Sequence, residues 1–119
     1  MGVTGIGGFF FVARDPEALA AWYRERLGIG LGEYGLWDQA ADPTVFSPFE
    51  AGSENYPPGT KWMLNLRVDG LDELRASLEA AGVEVETRPE WNAPGVGRFA
   101  RLKDPEGNGI ELWEAWEGD

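Results

Sequence analysis

The sequence predicts an α+β domain made of two similar modules, each with a strand, a helix and further strands. A chain of 119 residues can form one hydrophobic core but is too short for two domains. Apolar residues recur at helical spacing in two segments, and a short apolar segment of strand length precedes each of them. Leu19 and Leu74 occupy matching places in these segments, as do Phe9 and Leu64, so the two halves repeat one plan.

The composition excludes several classes of function. Because the chain has no cysteine and no histidine, it has no disulfide, no thiolate nucleophile and none of the commonest ligands for zinc, iron and copper. A formal net charge of −11 argues against nucleic acid as a partner. The sequence has neither an apolar run of membrane length nor a basic region before one at its N-terminus. We therefore expect a cytoplasmic protein without membrane contact.

The first half predicts a strand, a helix and two short strands. Residues 7–13 form a continuous apolar run, which is typical of a strand buried on both faces. Asp15 suits the N-cap of a helix, Pro16 its first position and Gly28 its C-terminal cap. We therefore expect a helix at 16–27. The weaker signals that follow favour short strands at 32–39 and 44–49, then a loop at 50–60 that connects the halves.

The second half repeats this plan with stronger signals. Residues 63–68 alternate strictly between apolar and mixed side chains, as a half-buried strand does. Leucines at helical spacing follow between Gly70 and Gly82 and predict the second helix. The remaining predicted elements are strands at 83–86 and 98–102 and a final hairpin whose second strand covers 110–114.

The final hairpin turns at residues 104–107, which read Asp-Pro-Glu-Gly. The Asp side chain at the first position can accept hydrogen bonds from the backbone N–H groups that follow it. Pro fixes φ at the second position, and Gly tolerates the backbone angles needed where the turn ends. In the strand that follows, Ile110 and Leu112 are expected to face the core, so Glu111 and Trp113 share the opposite face. A carboxylate beside an indole on a sheet face indicates either an exposed edge or the lining of a pocket.

Several motifs together point to a family. The first half has Arg-Asp-Pro-Glu-Ala-Leu at 14–19 and Leu-Gly-Ile at 27–29. The second half has Val-Asp-Gly-Leu at 68–71 and Gly-Arg-Phe-Ala at 97–100. The closing Asp-Pro-Glu-Gly-Asn-Gly-Ile-Glu-Leu at 104–112 is the most specific motif. The pattern resembles the vicinal oxygen chelate superfamily, also called the glyoxalase, bleomycin-resistance and dioxygenase fold, over nearly the whole chain.

The resemblance implies two βαβββ modules whose curved mixed sheets form a half-open, barrel-like cleft, with the helices on the convex face. Within a single domain of residues 1–119, it places module one at about 5–52, a linker at about 53–60 and module two at about 61–117. Members of the superfamily are usually completed across a homodimer, so we expect a homodimer here.

The resemblance also implies a divalent metal in the cleft, held by first-strand ligands that are commonly His and last-strand ligands that are commonly Glu. The matching first-strand positions of this sequence hold Gly8 and Met63. The last-strand position of module one falls near Ser47 or Phe49, and neither is a carboxylate. Glu111 alone matches. Because one carboxylate cannot form the multi-ligand site that a catalytic metal requires, we expect no metal ligand and no cofactor.

Strand alternation identifies the side chains that would line the cleft instead. If Leu64 and Leu66 face the helices, the residues on either side of them face the cleft, and the same parity applies to the last two strands. Trp37 could alternatively belong to a dimer interface, and Trp91 could be a loop residue or a lid over the cleft. The candidate ligand-binding residues are Phe10, Trp37, Met63, Asn65, Arg67, Trp91, Phe99, Arg101 and Trp113.

Glu111 is the candidate catalytic residue, and it needs a partner if it is buried, because desolvating a lone charge is costly. We hypothesise that Arg67 or Arg101 pairs with it and takes the electrostatic role of the missing metal. The alternative is that these charges lie at an open, hydrated rim and do nothing specific.

Three functions remain open at this point. The first is a binding protein that holds a small, apolar or aromatic organic molecule without metal, for sequestration or sensing, as bleomycin-resistance members of the superfamily sequester drugs. The alternative is a divergent glyoxalase- or dioxygenase-type enzyme, a lyase, isomerase or dioxygenase, that uses Glu111 with a non-standard metal site or as an acid–base group. A third option is a structural or partner-binding role, with the cleft filled by side chains.

Overall fold

The computed structural model describes Met1 and residues 8–40 and 44–116. These residues contain two α-helices, α1 at Pro16–Leu27 and α2 at Leu71–Ala80. They also contain four strands, β1 at Leu64–Arg67, β2 at Asn92–Ala93, β3 at Gly97–Lys103 and β4 at Gly109–Ala115. Short 3-10 helical turns lie at Glu33–Gly35 and Pro89–Trp91.

The predicted α+β class is confirmed, and the sheet is mixed as expected. Its strands lie in the order β1-β4-β3-β2, with β1 parallel to β4 and the other neighbours antiparallel. Over the described residues the sheet is open and uncurled. Neither helix in these ranges has the length and apolar content that a membrane span requires.

Both helices begin where the sequence predicts. In α1, the Asp15 carboxylate accepts a hydrogen bond from a first-turn backbone N–H at 3.1 Å, and Gly28 ends the helix with a φ of 69°. α2 follows Gly70, which has no side chain to cap the helix. The Glu114 carboxylate, near the end of β4, instead accepts a hydrogen bond from the Leu71 backbone N–H at 2.9 Å.

The hydrophobic core lies between the helices and one face of the sheet. Leu78 of α2 and Ile110 and Leu112 of β4 are fully buried, and Ala100 and Leu102 of β3 join them. This alternation confirms the predicted core face of β3 and β4. Each fully buried leucine or isoleucine side chain contributes about 1.5–3 kcal/mol to stability. The residues between them on the same strands therefore point to the opposite face.

The first half of the chain forms fewer strands than predicted. Residues 8–13 of the first predicted strand adopt no strand, and Gly7 lies outside the described residues. The predicted strands at 32–39 and 44–49 are not formed either, over the residues that the structure describes. In the second half, the predicted strand at 83–86 is reduced to a single bridge, in which Glu86 pairs with Arg101.

Aromatic contacts hold residues 8–13 in place. The rings of Phe9 and Phe11 lie 5.1 and 5.9 Å from the Trp62 ring, measured between centroids. Phe10 and Val12 point away and are 93% and 97% exposed. A strand requires a neighbour that satisfies its backbone N–H and C=O groups. The apolar run predicts a buried strand wrongly because, among the described residues, no neighbouring strand pairs with it.

The turn between β3 and β4 joins the two halves of the chain. Asp104 is buried, and its Oδ1 accepts hydrogen bonds from the backbone N–H groups of Glu106 and Asn108, as the turn motif predicts. Its Oδ2 accepts from the hydroxyl of Tyr23 in α1 at 2.8 Å. Burial, and then this bond to Asp104, raise the pKa of Tyr23.

Glu106 makes a second contact between the turn and α1. Its carboxylate accepts hydrogen bonds from the backbone N–H groups of Arg14 and Asp15, at 2.7 and 3.0 Å. These bonds lower the pKa of Glu106, because they favour its ionised form. The residues just before α1 are therefore held by a side chain that lies 92 positions after Arg14 in the chain.

Candidate functional site

The cleft face, as we call the side of the sheet opposite the core, carries Asn65 of β1, Phe99 and Arg101 of β3, and Glu111 and Trp113 of β4. In the sheet register, Glu111 lies directly between Asn65 and Arg101. Its Oε1 accepts a hydrogen bond from Asn65 Nδ2 at 2.9 Å, and its Oε2 accepts one from Arg101 Nε at 3.0 Å. Both carboxylate oxygens are thus bonded to the neighbouring strands.

The hypothesis that an arginine pairs with Glu111 is confirmed, and the partner is Arg101. The side chains of Arg101 and Glu111 are 17% and 15% exposed, so the pair does not lie at an open, hydrated rim. Shielding from water strengthens the attraction between the two charges. The other candidate partner, Arg67, donates from Nη2 to the Ala40 carbonyl oxygen at 3.4 Å.

Two aromatic rings flank the Arg101 guanidinium. Its central carbon lies 5.1 Å from the centroid of the Tyr56 ring and 5.0 Å from that of the Trp91 ring, within the range of a cation–π interaction. Burial, and then the negative charge of Glu111, raise the pKa of Tyr56, while Arg101 opposes the shift. The Tyr56 phenol is therefore neutral at neutral pH and remains a hydrogen-bond donor.

A pocket of about 230 Å³ opens beside this ion pair. Four aromatic side chains line it, together with one guanidinium, two carboxylates and two small residues. The lining residues are Phe49, Asn55, Tyr56, Glu90, Trp91, Ala93, Phe99, Arg101 and Glu111. The structure thus brings four of the sequence-predicted site residues into one pocket.

Trp113 supports the pocket from the next strand. Its ring is parallel to that of Phe99, with an interplanar angle of 3° and centroids 6.2 Å apart. Its indole Nε1 donates to the Val96 carbonyl oxygen at 2.9 Å, which fixes the ring orientation. Gly97 has a φ of 142°, and a Cβ there would overlap both the Trp113 indole and the Glu114 carbonyl oxygen. Only glycine allows this close approach.

The other predicted site residues lie outside this pocket. Met63 precedes β1 and packs against Gly109, whose missing Cβ would lie 3.4 Å from the Met63 sulfur. Phe10 is 93% exposed and Trp37 is 42% exposed, and neither lines the pocket. Phe10 lies outside the sheet, because residues 8–13 form no strand. A role of Phe10 or Trp37 in binding stays a prediction.

Sequence reasoning missed Tyr56, Phe49 and Asn55, which it assigned to the end of module one and to the linker. These residues lie in segments without periodicity, and a tyrosine between Asn and Pro-Pro carries no local signal of burial. Their place in the pocket depends on the path of a long loop past β3. Glu90 could have been found as the neighbour of Trp91.

A second cavity, of about 300 Å³, lies near the start of α2. Its lining residues are Leu71, Asp72, Arg75, Thr87, Arg88, Pro89, Asn92, Arg98 and Phe99. Arg98 donates to Glu114 Oε1 at 2.7 Å and to Asp72 Oδ1 at 3.1 Å. It therefore links the start of α2 to the end of β4. The bond from the Leu71 N–H, and then the bond from Arg98, lower the pKa of Glu114. We regard this cavity as part of the scaffold and take the cleft-face pocket as the candidate site.

The donor set around Glu111 does not fit the divalent metal that the resemblance implies. Both carboxylate oxygens already accept hydrogen bonds, and the positive Arg101 guanidinium lies 3.0 Å from one of them. The described ranges contain no group of three or more His, Cys, Asp or Glu side chains placed to hold a metal. A cation at this position would have to compete with a guanidinium for a single carboxylate.

The chain is similar to known proteins in both sequence and structure. The glyoxalase-like domain family matches residues 8–113. No curated protein matches the sequence. Among solved structures, TnmS3, an antibiotic binding protein from Streptomyces sp. CB03234, is 25% identical with a TM-score of 0.61, and the match covers 97% of this chain and 98% of that one.

Two further structures share the fold. A glyoxalase/bleomycin resistance protein from the same Streptomyces strain is 29% identical with a TM-score of 0.51, over 84% of this chain and 91% of that one. The fosfomycin resistance protein FosX from Listeria monocytogenes, in complex with Mn(II) and sulfate, has a TM-score of 0.58 over 95% of this chain and 94% of that one. At 18% identity, FosX shows the fold alone. From the match over residues 8–113, the chain belongs to the glyoxalase-like domain family of the vicinal oxygen chelate superfamily.

Proposed function

We propose that this protein binds a small, largely apolar or aromatic organic molecule in the cleft-face pocket, without a metal. The lining of the pocket carries this proposal, because Phe49, Tyr56, Trp91 and Phe99 surround a single ion pair. Sites for organic ligands are typically concave and mostly apolar, with a few placed polar groups that fix orientation. The pocket has this composition.

The likeness to TnmS3 supports binding over catalysis. That protein is described as an antibiotic binding protein, and the match extends over 97% of this chain. Glu111 gives a second argument, because a general base must take up a proton. The Glu111 carboxylate is hydrogen-bonded to Asn65 and Arg101, and taking up a proton would neutralise one member of its ion pair with Arg101.

Isothermal titration calorimetry with a panel of bicyclic and tricyclic aromatic compounds tests the proposal. Each compound is titrated into protein in the presence of EDTA and, separately, of Mn²⁺. We expect one molecule bound per chain, with the same affinity under both conditions. Binding that occurs only with Mn²⁺, or turnover of a compound that depends on Glu111, would favour the enzyme instead.

A pair of tryptophan variants locates the site. Trp91→Ala removes a lining ring and should weaken binding about tenfold, since an aromatic contact together with its buried area is worth about 1.5 kcal/mol. Trp116→Ala is the matched control, because Trp116 is 44% exposed and lies outside the pocket. Equal loss of affinity in both variants would mean that the ligand does not occupy this pocket.

A further inference from the structure

We infer that the pocket selects an electrically neutral aromatic molecule that carries an oxygen acceptor, such as an amide or ketone carbonyl, and that this oxygen binds the outer edge of Arg101. The inference rests on the proposed function, because it names the chemistry of the ligand in the same pocket. Three observations carry it: the unused donors of Arg101, the rings that hold this side chain, and the charges of the lining.

The first observation is the set of N–H groups on Arg101. A guanidinium has five N–H donors, and Arg101 bonds Glu111 through Nε. Its two terminal nitrogens make no hydrogen bond to any residue in the described ranges. Among the described residues, every buried side-chain polar atom has a hydrogen-bond partner. Because the two terminal nitrogens of Arg101 have none, they are not buried and are accessible to solvent. Because Arg101 lines the pocket, they are donors available to a bound molecule.

The second observation is that this donor edge is held in place. Glu111 fixes the Nε side of the guanidinium, and the Tyr56 and Trp91 rings lie 5.1 and 5.0 Å from its central carbon. A donor that is ordered before binding loses little conformational entropy when a ligand arrives. A flat molecule whose ring lies among the aromatic side chains can therefore place an oxygen in the plane of the guanidinium.

The third observation is the charge balance of the lining. Arg101 is neutralised by Glu111, and Glu90 adds a second carboxylate to the pocket. Arg88, which lies 5.1 Å from the Trp91 ring, is neutralised by Glu86 at 2.8 Å. A ligand carboxylate would lose hydration on entry and would meet two protein carboxylates and one positive charge. A neutral oxygen has a much smaller desolvation cost and still accepts a charge-assisted hydrogen bond.

Three ligands of one shape test the inference: naphthamide, naphthoate and methylnaphthalene, measured by calorimetry on the full chain. We expect wild-type protein to bind naphthamide about tenfold more tightly than methylnaphthalene, since a hydrogen bond to a charged donor is of that size. Naphthoate should bind no more tightly than methylnaphthalene. If naphthoate binds as well as naphthamide, the inference fails although the proposed function stands. If none of the three binds, both fail.

Glu111→Gln provides the decisive variant, because it keeps the shape of the side chain and frees the charge of Arg101. Naphthoate should then gain about tenfold in affinity relative to naphthamide. Glu25→Gln is the matched control, since Glu25 is exposed on α1 and the change in net charge is the same. If the affinity for naphthoate rises equally in both variants, the overall charge of the protein causes the selection against anions. That result would overturn the inference.

Discussion

Strands β3 and β4 carry two directly opposed Arg–Glu pairs, and the two pairs lie on opposite faces of the sheet. Arg98 faces Glu114 on the core side, and Arg101 faces Glu111 on the cleft face. In the first pair, Glu114 also accepts a hydrogen bond from the Leu71 N–H at the start of α2. In the second pair, the additional neighbours are the Asn65 amide and the aromatic rings of the pocket.

The difference shows that the surroundings of an ion pair decide what it does. The Arg98–Glu114 pair fastens a helix that has no cap of its own to the sheet, so its loss should appear as lost stability. The Arg101–Glu111 pair leaves two guanidinium nitrogens facing a pocket, so its loss should appear chiefly as altered binding. Four measurements test this division.

The largest loss of stability is expected for Glu114→Ala. The change removes the cap of α2 and the partner of Arg98, and it should lower the free energy of unfolding by about 2 kcal/mol. Urea denaturation followed by circular dichroism measures the loss. Glu84→Ala, an exposed acid, is the control and should stay within about 0.5 kcal/mol of wild type. Equal losses of unfolding free energy in both variants would show that Glu114 does not cap α2.

A smaller loss of stability, of about 1 kcal/mol, is expected for Glu111→Gln, because the glutamine oxygen can still accept one of the two hydrogen bonds. This variant should also lower the pKa of Tyr56, since the Glu111 charge helps to raise it. Titration of tyrosinate absorbance measures the shift, with Tyr56→Phe to assign the signal. Glu114→Gln, on the other face of the sheet, should leave the Tyr56 titration unchanged. A shifted pKa of Tyr56 in that variant would contradict the separate roles of the two ion pairs.

The pH dependence of the unfolding free energy also distinguishes the two ion pairs. The folded-state pKa of Glu114 is below the ordinary value of 4.5, so its ionised form stabilises the protein. This contribution is complete above the unfolded-state pKa and is lost as the pH falls through the folded-state pKa. The stability difference between wild type and Glu114→Gln should therefore shrink below about pH 4.5 in denaturation curves at stepped pH. A difference that stays constant down to strong acid would be inconsistent with a charged cap.

The smallest effect is expected for Asp72→Asn. Asp72 lies 3.1 Å from Arg98, but its side chain is 79% exposed. Exposed ion pairs contribute about 0–1 kcal/mol, so the denaturation midpoint should hardly change. A loss as large as that of Glu114→Ala would mean that Asp72 and Glu114 stabilise α2 together.

Local signals predicted the parts of the fold that depend on neighbours in sequence. Asp15 and Gly28 gave the bounds of α1, since a cap bonds within its own first or last turn. Strand alternation gave the two faces of β3 and β4 and left Arg67 or Arg101 as the partner of Glu111, and the structure shows that the partner is Arg101. Parity leaves this choice open, because it assigns residues to a face of the sheet but does not set the register between strands.

Long-range contacts account for what the sequence did not predict. Glu114 caps a helix 43 positions earlier in the chain, and no local motif marks it for that task. Tyr56 lines the pocket because a loop passes near β3, and loop paths have no periodicity. The apolar run at 8–13 predicts a strand, but a strand also needs a partner, which hydrophobicity does not specify.

The contact between Glu106 and the residues just before α1 has a consequence for synthesis of the chain. Helix α1 emerges from the ribosome long before the acid that binds the residues just before it, because 92 positions separate Arg14 from Glu106. Its docking must therefore wait until the closing hairpin has been translated. During that interval Asp15 still caps the helix within its own first turn, but the contact that holds the preceding residues to the hairpin is missing.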